Sequence, residues 1–221
     1  KQKLKDENEK FYKDLADNQL ARLARDENIK PLYSRVLNPA IRITDRLDII
    51  KKILELNPDN KELMVSLIFL ASMDDEWELA TQQIDQFFRM GGRENKSYLG
   101  VKMLELGIAH LISSDQQALA AHISSTVNKI QNPWFKEIVH VLSNKKREVE
   151  LIEHAPEHPE MLLSAHFALG FWAEGGNNLD KAIEHYKQVL STYLEGWWEY
   201  EFAKYRIRKL RLVQENSSLE D

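Results

Sequence analysis

The sequence predicts an all-α fold built of antiparallel helix pairs. Three observations carry that expectation. Within residues 161–194, Leu162, Ala165, Leu169 and Trp172 recur at intervals of three and four, which puts them on one helix face. Glu174-Gly175-Gly176-Asn177-Asn178 then breaks the pattern with residues that accept a left-handed backbone, and Leu179, Ala182, Ile183, Tyr186, Val189 and Leu190 resume it. The chain has only 8 Gly and 6 Pro among 221 residues, which favours long helices over many short strands. The pattern also echoes itself, because one interval separates both Leu67 from Ala80 and Leu169 from Ala182.

Taken in order, residues 1–28 are heavily charged, with a sparse apolar stripe of Phe11, Leu15, Leu20 and Leu23 that reads as a surface helix. Pro31 and Pro39 bracket a short helical piece at residues 32–37. Residues 1–40 are therefore expected as a lead-in, residues 41–213 as the helical domain and residues 214–221 as a disordered tail. The first helix of the domain starts at Ile41 or Thr44 and ends at Leu56, with Ile43, Leu47, Ile50 and Leu54 as its stripe and Thr44 or Asp45 as cap. After Asn57-Pro58-Asp59-Asn60, Leu63, Leu67, Leu70 and Ala71 line a helix to Met73. Asp74-Asp75-Glu76 turns the chain, and Trp77, Ala80, Ile84, Phe87 and Phe88 line the return helix, which Gly91-Gly92 ends.

A looser pair covers residues 98–113 and then a helix from the cap Asp115 to Ile130, with Pro133 closing the unit. An extra pair at residues 134–142 and 147–153 precedes the lead stretch. Gly170 and Ala182 are the candidates for close approach between the two helices of that stretch. Beyond Gly196, residues 197–213 form a last helix whose broad apolar face (Trp198, Phe202, Ala203, Tyr205, Ile207, Leu210) suits it to cover the open end of an array.

The lead stretch reads His166-x2-Leu169-Gly170-x2-Ala173, then Ala182-x3-Tyr186, then Leu194. It resembles the tetratricopeptide repeat (TPR), whose signature is W-x2-L-G-x2-Y, A-x3-F and P over roughly 34 residues. The Leu-Gly pair, Ala182 and the aromatic Tyr186 match, whereas His166, Ala173 and Leu194 replace the family's tryptophan, tyrosine and proline. The joint Leu56-Asn57-Pro58 also looks like the family's repeat boundary. The resemblance implies a right-handed α-solenoid that binds peptides or proteins on its concave face. Aligning Ile68, Ala109 and Gly170 gives unequal steps, so the repeats are irregular. That alignment puts Phe69, His110 and Phe171, with Ser72, Ser113 and Glu174, in a column suited to an extended peptide or a partner's helix. The competing reading makes Phe69 and Phe171 core residues.

A net charge of -5 argues against a general nucleic-acid-coating role. Lys204, Arg206, Arg208, Lys209 and Arg211 nevertheless form a basic run near the end of the last helix. It reads either as a patch for an acidic partner or nucleic acid, or as cations that stabilise the helix dipole. With 0 Cys, disulfides, thiolate metal sites and a cysteine nucleophile are excluded, which slightly favours the cytoplasm without excluding any compartment. The apolar run at residues 63–73 falls far short of the roughly 20 residues a membrane helix needs, so no membrane insertion is expected from this segment.

Residues 153–160 hold His154 and His158 among Glu153, Glu157 and Glu160. The order departs from the H-E-x-x-H of zinc hydrolases, and Pro156 and Pro159 oppose a continuous helix, so a loop is expected. Gly91-Gly92-Arg93 and Gly175-Gly176-Asn177-Asn178 are too short for a phosphate loop, and no G-x-S-x-G motif places a serine nucleophile. No catalytic, cofactor or metal residue is assigned. The functional expectation is a non-enzymatic scaffold or adaptor that binds a protein or peptide partner. The alternatives are a regulatory or dimerisation domain of a larger, membrane-anchored signalling protein, acting as a homodimer, and a metal-dependent hydrolase at His154 and His158. The chain starts at Lys1 with no signal-peptide pattern, which reads as a processed chain or a piece of something longer.

Overall fold

The structure is a computed structural model that describes residues 32, 35–36, 38, 40–92, 97–113, 115–155 and 158–217. The expected surface helix at residues 1–28, most of the Pro31–Pro39 segment, Arg93, Pro156, Glu157 and residues 218–221 lie outside the described residues. Among the described residues the fold is all-helical, with ten helices and no strand. None of these helices is long and apolar enough to cross a membrane. The chain divides into two compact units, Lys1–Val101 and Lys102–Asp221.

The first unit holds α1 (Ile43–Leu56), α2 (Lys61–Met73) and α3 (Trp77–Arg89). Neither Thr44 nor Asp45 caps α1. Asp45 instead accepts two hydrogen bonds of 3.0 Å from the guanidinium of Arg42, the residue at the N-cap position. At α2 the cap is formed, with the Asn60 side chain accepting from the Leu63 N–H at 3.0 Å. Every residue from Leu63 to Met73 is buried. A helix that is apolar all round must be covered all round, and α1 and α3 both pack against α2. These two neighbours are amphipathic, and α3 buries only the face carrying Ala80, Ile84 and Phe87.

The division between the units falls in the first turn of α4 (Tyr98–Ile112). The second unit continues through α5 (Gln116–Lys129), α6 (Pro133–Leu142), α7 (Glu148–Glu153), α8 (Pro159–Gly175), α9 (Leu179–Ser191) and α10 (Trp198–Ser217). Asp115 caps α5 through the Gln117 N–H at 2.9 Å. Pro133 opens a helix rather than closing one. It occupies the first turn of α6 while Asn132 accepts from the Phe135 N–H at 3.0 Å, because a residue without an N–H costs nothing where that N–H has no helical partner. Pro159 starts α8 in the same way.

Helix α8 is the centre of this unit, packed against α6, α7, α9 and α10. Phe167 and Phe171 both lie 5.2 Å from the Phe202 ring, and Tyr186 lies 6.0 Å from it, joining α8, α9 and α10 in one aromatic core. A Cβ on Gly170 would stand 2.8 Å from the Tyr186 ring, so this glycine permits the close approach of α8 and α9 that the sequence suggested. Helix α10 runs on to Ser217, past the Val213 expected from its pattern.

Three helix pairs are closed by one kind of turn. Asp75, Asn144 and Asn177 have φ of 64°, 57° and 57°, the left-handed conformation that stops a helix. In each case the next N–H reaches back to the last helical turn. The bonds are Glu76 to Ala71 at 2.9 Å, Lys145 to His140 at 2.8 Å and Asn178 to Ala173 at 2.9 Å. Glu76 and Asn178 then serve as N-caps of α3 and α9. The register of these two turns coincides with the echo of Leu67 and Ala80 in Leu169 and Ala182.

Candidate functional site

The second unit contains an open cleft of about 620 Å³. One wall is the turn from α6 to α7, carrying Asn144, Lys145, Lys146, Arg147, Glu148 and Glu150. The other is the end of α8 and the start of α9, carrying Leu169, Trp172, Ala173, Gly176, Asn178 and Lys181. Both walls hang from left-handed asparagine turns, at Asn144 and Asn177. The local backbone rule that ends each helix therefore also fixes where the polar rim stands.

His110 of α4 lies in this cleft, stacked on Trp172 with ring centroids 3.9 Å apart and planes 14° off parallel. A Cβ on Gly175 would stand 2.7 Å from His110 Cδ2, so the glycine leaves the imidazole its seat. Burial lowers the His110 pKa, keeping the ring neutral near pH 7, and its buried Nδ1 has no hydrogen-bond partner among the described residues.

The charged rim is partly paired. Lys181 Nζ lies 2.6 Å from Glu148 Oε2, Arg147 Nε donates to Glu150 Oε1 at 2.7 Å, and Lys146 pairs with Glu137. Lys145 is exposed and has no ion pair among the described residues. Glu148 also leads inward. Its Oε1 lies 3.1 Å from His185 Nε2 without hydrogen-bond alignment, so that contact is electrostatic. His185 Nδ1 in turn meets His166 Nδ1 at 3.1 Å. Burial first, and then the neighbouring His185, push the His166 pKa down to about 4 against the opposing pull of Glu148. The His185 pKa is lowered as well, mainly by burial.

The column expected from the repeat alignment does not form a surface. Phe69, Ser72 and Phe171 are fully buried, and the Ser72 hydroxyl donates to the Ile68 carbonyl one turn back at 2.8 Å. Phe69 and Phe171 follow the competing reading and are core, because the faces of α2 and α8 that carry them are covered. Ser113 closes the end of α4, accepting from the Asp115 N–H at 3.2 Å. Glu174 is buried and accepts from the Tyr186 hydroxyl at 2.9 Å and from Arg206. Of these six residues, His110 alone lines the cleft.

The basic run is likewise divided by the helix. Arg206 is 4 % exposed, turned inward to Glu174 with its guanidinium 6.0 Å from the Phe202 ring, and cannot meet a partner. Lys204, Arg208 and Arg211 are exposed and Lys209 is half-buried. Lys204 Nζ stands 4.0 Å from Glu201. His154 and His158 are both exposed, and among the described residues no group of three or more His, Asp or Glu side chains stands close enough to hold a metal ion.

Sequence reasoning missed the cleft. Its one visible signal was Lys145-Lys146-Arg147 directly after Ser143-Asn144, a cation run at a helix-ending turn. Trp172 read as core, and only folding brings Lys181 to the opposite wall. Comparison of the chain with protein-family models, with curated proteins and with solved structures gives no match.

Proposed function

We propose that this chain is a non-enzymatic protein-interaction scaffold. Its helix pairs stack as a TPR-like right-handed array, and a segment of the partner lies in the cleft beside His110 and Trp172. The observation that carries the reading is the cleft itself. Two turns of the same left-handed geometry hold a mixed apolar and charged rim around a stacked ring pair. A preorganised recess of this size, a few convergent polar groups over an apolar floor, is what recognition of a short segment requires. The array is supported by the matched register of the Asp75 and Asn177 turns, as expected when one supersecondary unit recurs.

Selection of random displayed peptides on the full chain tests the reading. Sequences enriched on the wild type and lost on Trp172→Ala, with helicity preserved by circular dichroism, support it. Enriched peptides that bind Trp172→Ala equally well sink it. A second reading, a dimerisation domain working through its last helix, is favoured by the exposure of Leu212 (59 %) on α10. Light scattering over a concentration series separates the two, since only the dimer gains mass.

A further inference from the structure

Resting on the cleft reading above, we infer that the segment it takes is acidic and carries one bulky apolar residue. The charge balance is the first argument. The lining holds four cations, Lys145, Lys146, Arg147 and Lys181, against two carboxylates, Glu148 and Glu150, while the whole chain has a net charge of -5. The cleft is thus locally opposite in sign to the molecule around it. Opposite local charge steers an acidic partner in and turns away most others.

The pairing within the rim sharpens this. Both cleft carboxylates already have a cation, Glu148 on Lys181 and Glu150 on Arg147, so neither is free to attract a basic ligand. Lys145 is left as the exposed positive charge at the mouth, and Arg147, 78 % exposed, can exchange its glutamate for a ligand carboxylate. The floor supplies the second half of the specificity. Trp172 is half-buried and already covered on one face by His110, which leaves an apolar edge beside Ala173 for one large side chain. A bare anion would satisfy the rim and ignore this floor. A neutral apolar peptide would do the reverse.

The test is peptide display on the full chain, followed by anisotropy with the enriched peptides against wild type and Lys145→Glu/Arg147→Glu. Both substituted side chains are exposed, so the variant is expected to fold, and circular dichroism checks it. The expected result is enrichment of peptides rich in Asp and Glu around a Leu, Phe or Trp. Their affinity falls about tenfold or more on charge reversal and declines steadily with added salt. Enriched peptides that are not acidic, yet are lost on Trp172→Ala, overturn the acidic inference and leave the cleft reading standing. No enrichment, or enrichment indifferent to every cleft substitution, overturns both. Displacement of the peptide by unlabelled RNA of equal charge overturns the inference in favour of charge alone. A mass that rises with concentration and is abolished by the charge reversal assigns the cleft to a second copy of this chain, and overturns it too.

Discussion

Glu174 engages both of its carboxylate oxygens inside the molecule, with Arg206 on both and the Tyr186 hydroxyl on Oε2 at 2.9 Å. Burial first and the adjacent carboxylate second raise the Tyr186 pKa well above its usual value, so the hydroxyl stays protonated and donating. Removing one partner of such a pair leaves a desolvated charge, whereas removing both does not. Arg206→Met is therefore expected to cost about 3–5 kcal/mol in urea unfolding, and Glu174→Leu/Arg206→Met to recover most of that loss. A cost below about 1 kcal/mol for the single variant would mean that water reaches Glu174. His166 gives a pH signature. Its folded pKa of about 4 lies below the ordinary imidazole value of 6.5, so the unfolded chain binds the proton more readily. The neutral ring's contribution is complete above pH 6.5 and is lost as pH falls toward 4. Solvent screening of this half-buried ring reduces the loss to about 1–2 kcal/mol. Lys181, Glu184 and Glu148 set the charge around the His166–His185 contact. Buried Glu199, pushed up to about 7 by burial, has the opposite sign across this range. The measurement is hence a difference. His166→Gln should show a shallower fall in stability from pH 7 to 5 than wild type, and parallel curves would reject the assignment.

Helices and their ends were the most legible level of the chain. The stripe of α9, the Asp115 cap of α5 and the break at Gly175-Gly176-Asn177-Asn178 are all local chemistry, and the structure keeps them. What the sequence concealed was which faces were covered. Phe69 and Phe171 share the apolar spacing of their helices whether they face a groove or a neighbour, and periodicity cannot tell these apart. Arg206 sits amid four other cations, three of them exposed, and only the approach of α8 supplies Glu174, far away in sequence. Two expectations, a cap at Thr44 or Asp45 and a unit closed by Pro133, differ from the structure for a related reason. Asp45 had a competing cation in Arg42, and a proline reads equally well as a stop or as a start. The turns lend themselves to a direct test. Asn177 has φ 57°, which a β-branched side chain tolerates poorly. Asn177→Val should lower stability by about 1–2 kcal/mol while Asn177→Gly leaves it equal or higher. Equal losses from both would show that the Asn177 side chain, not the backbone angle, matters at this turn.

At the scale of the whole molecule the features that bear on the proposed function fall in one unit. The ring core of Phe167, Phe171, Tyr186 and Phe202, the Glu174–Arg206 pair and the cleft all lie within Lys102–Asp221. Helix α8 packs against four neighbours of that same unit. A unit with its own core and its own buried ion pair meets the physical requirement for folding alone. Residues 97–221, which keep α4 whole, are therefore expected to be helical and to melt in one cooperative step. The stronger form of the prediction uses Arg206→Met in both backgrounds. If the unit is self-sufficient, the variant costs the same free energy in the fragment as in the full chain, to within about 0.5 kcal/mol, because the affected contacts are all present in each. A fragment that is helical but melts without cooperativity, or in which Arg206→Met costs nothing, would show that this core is completed by the first unit. The same fragment then decides where recognition resides. Since every cleft-lining residue is retained, it should bind the selected acidic peptides as the full chain does, and a loss of binding by a well-folded fragment would move the recognition surface off the cleft.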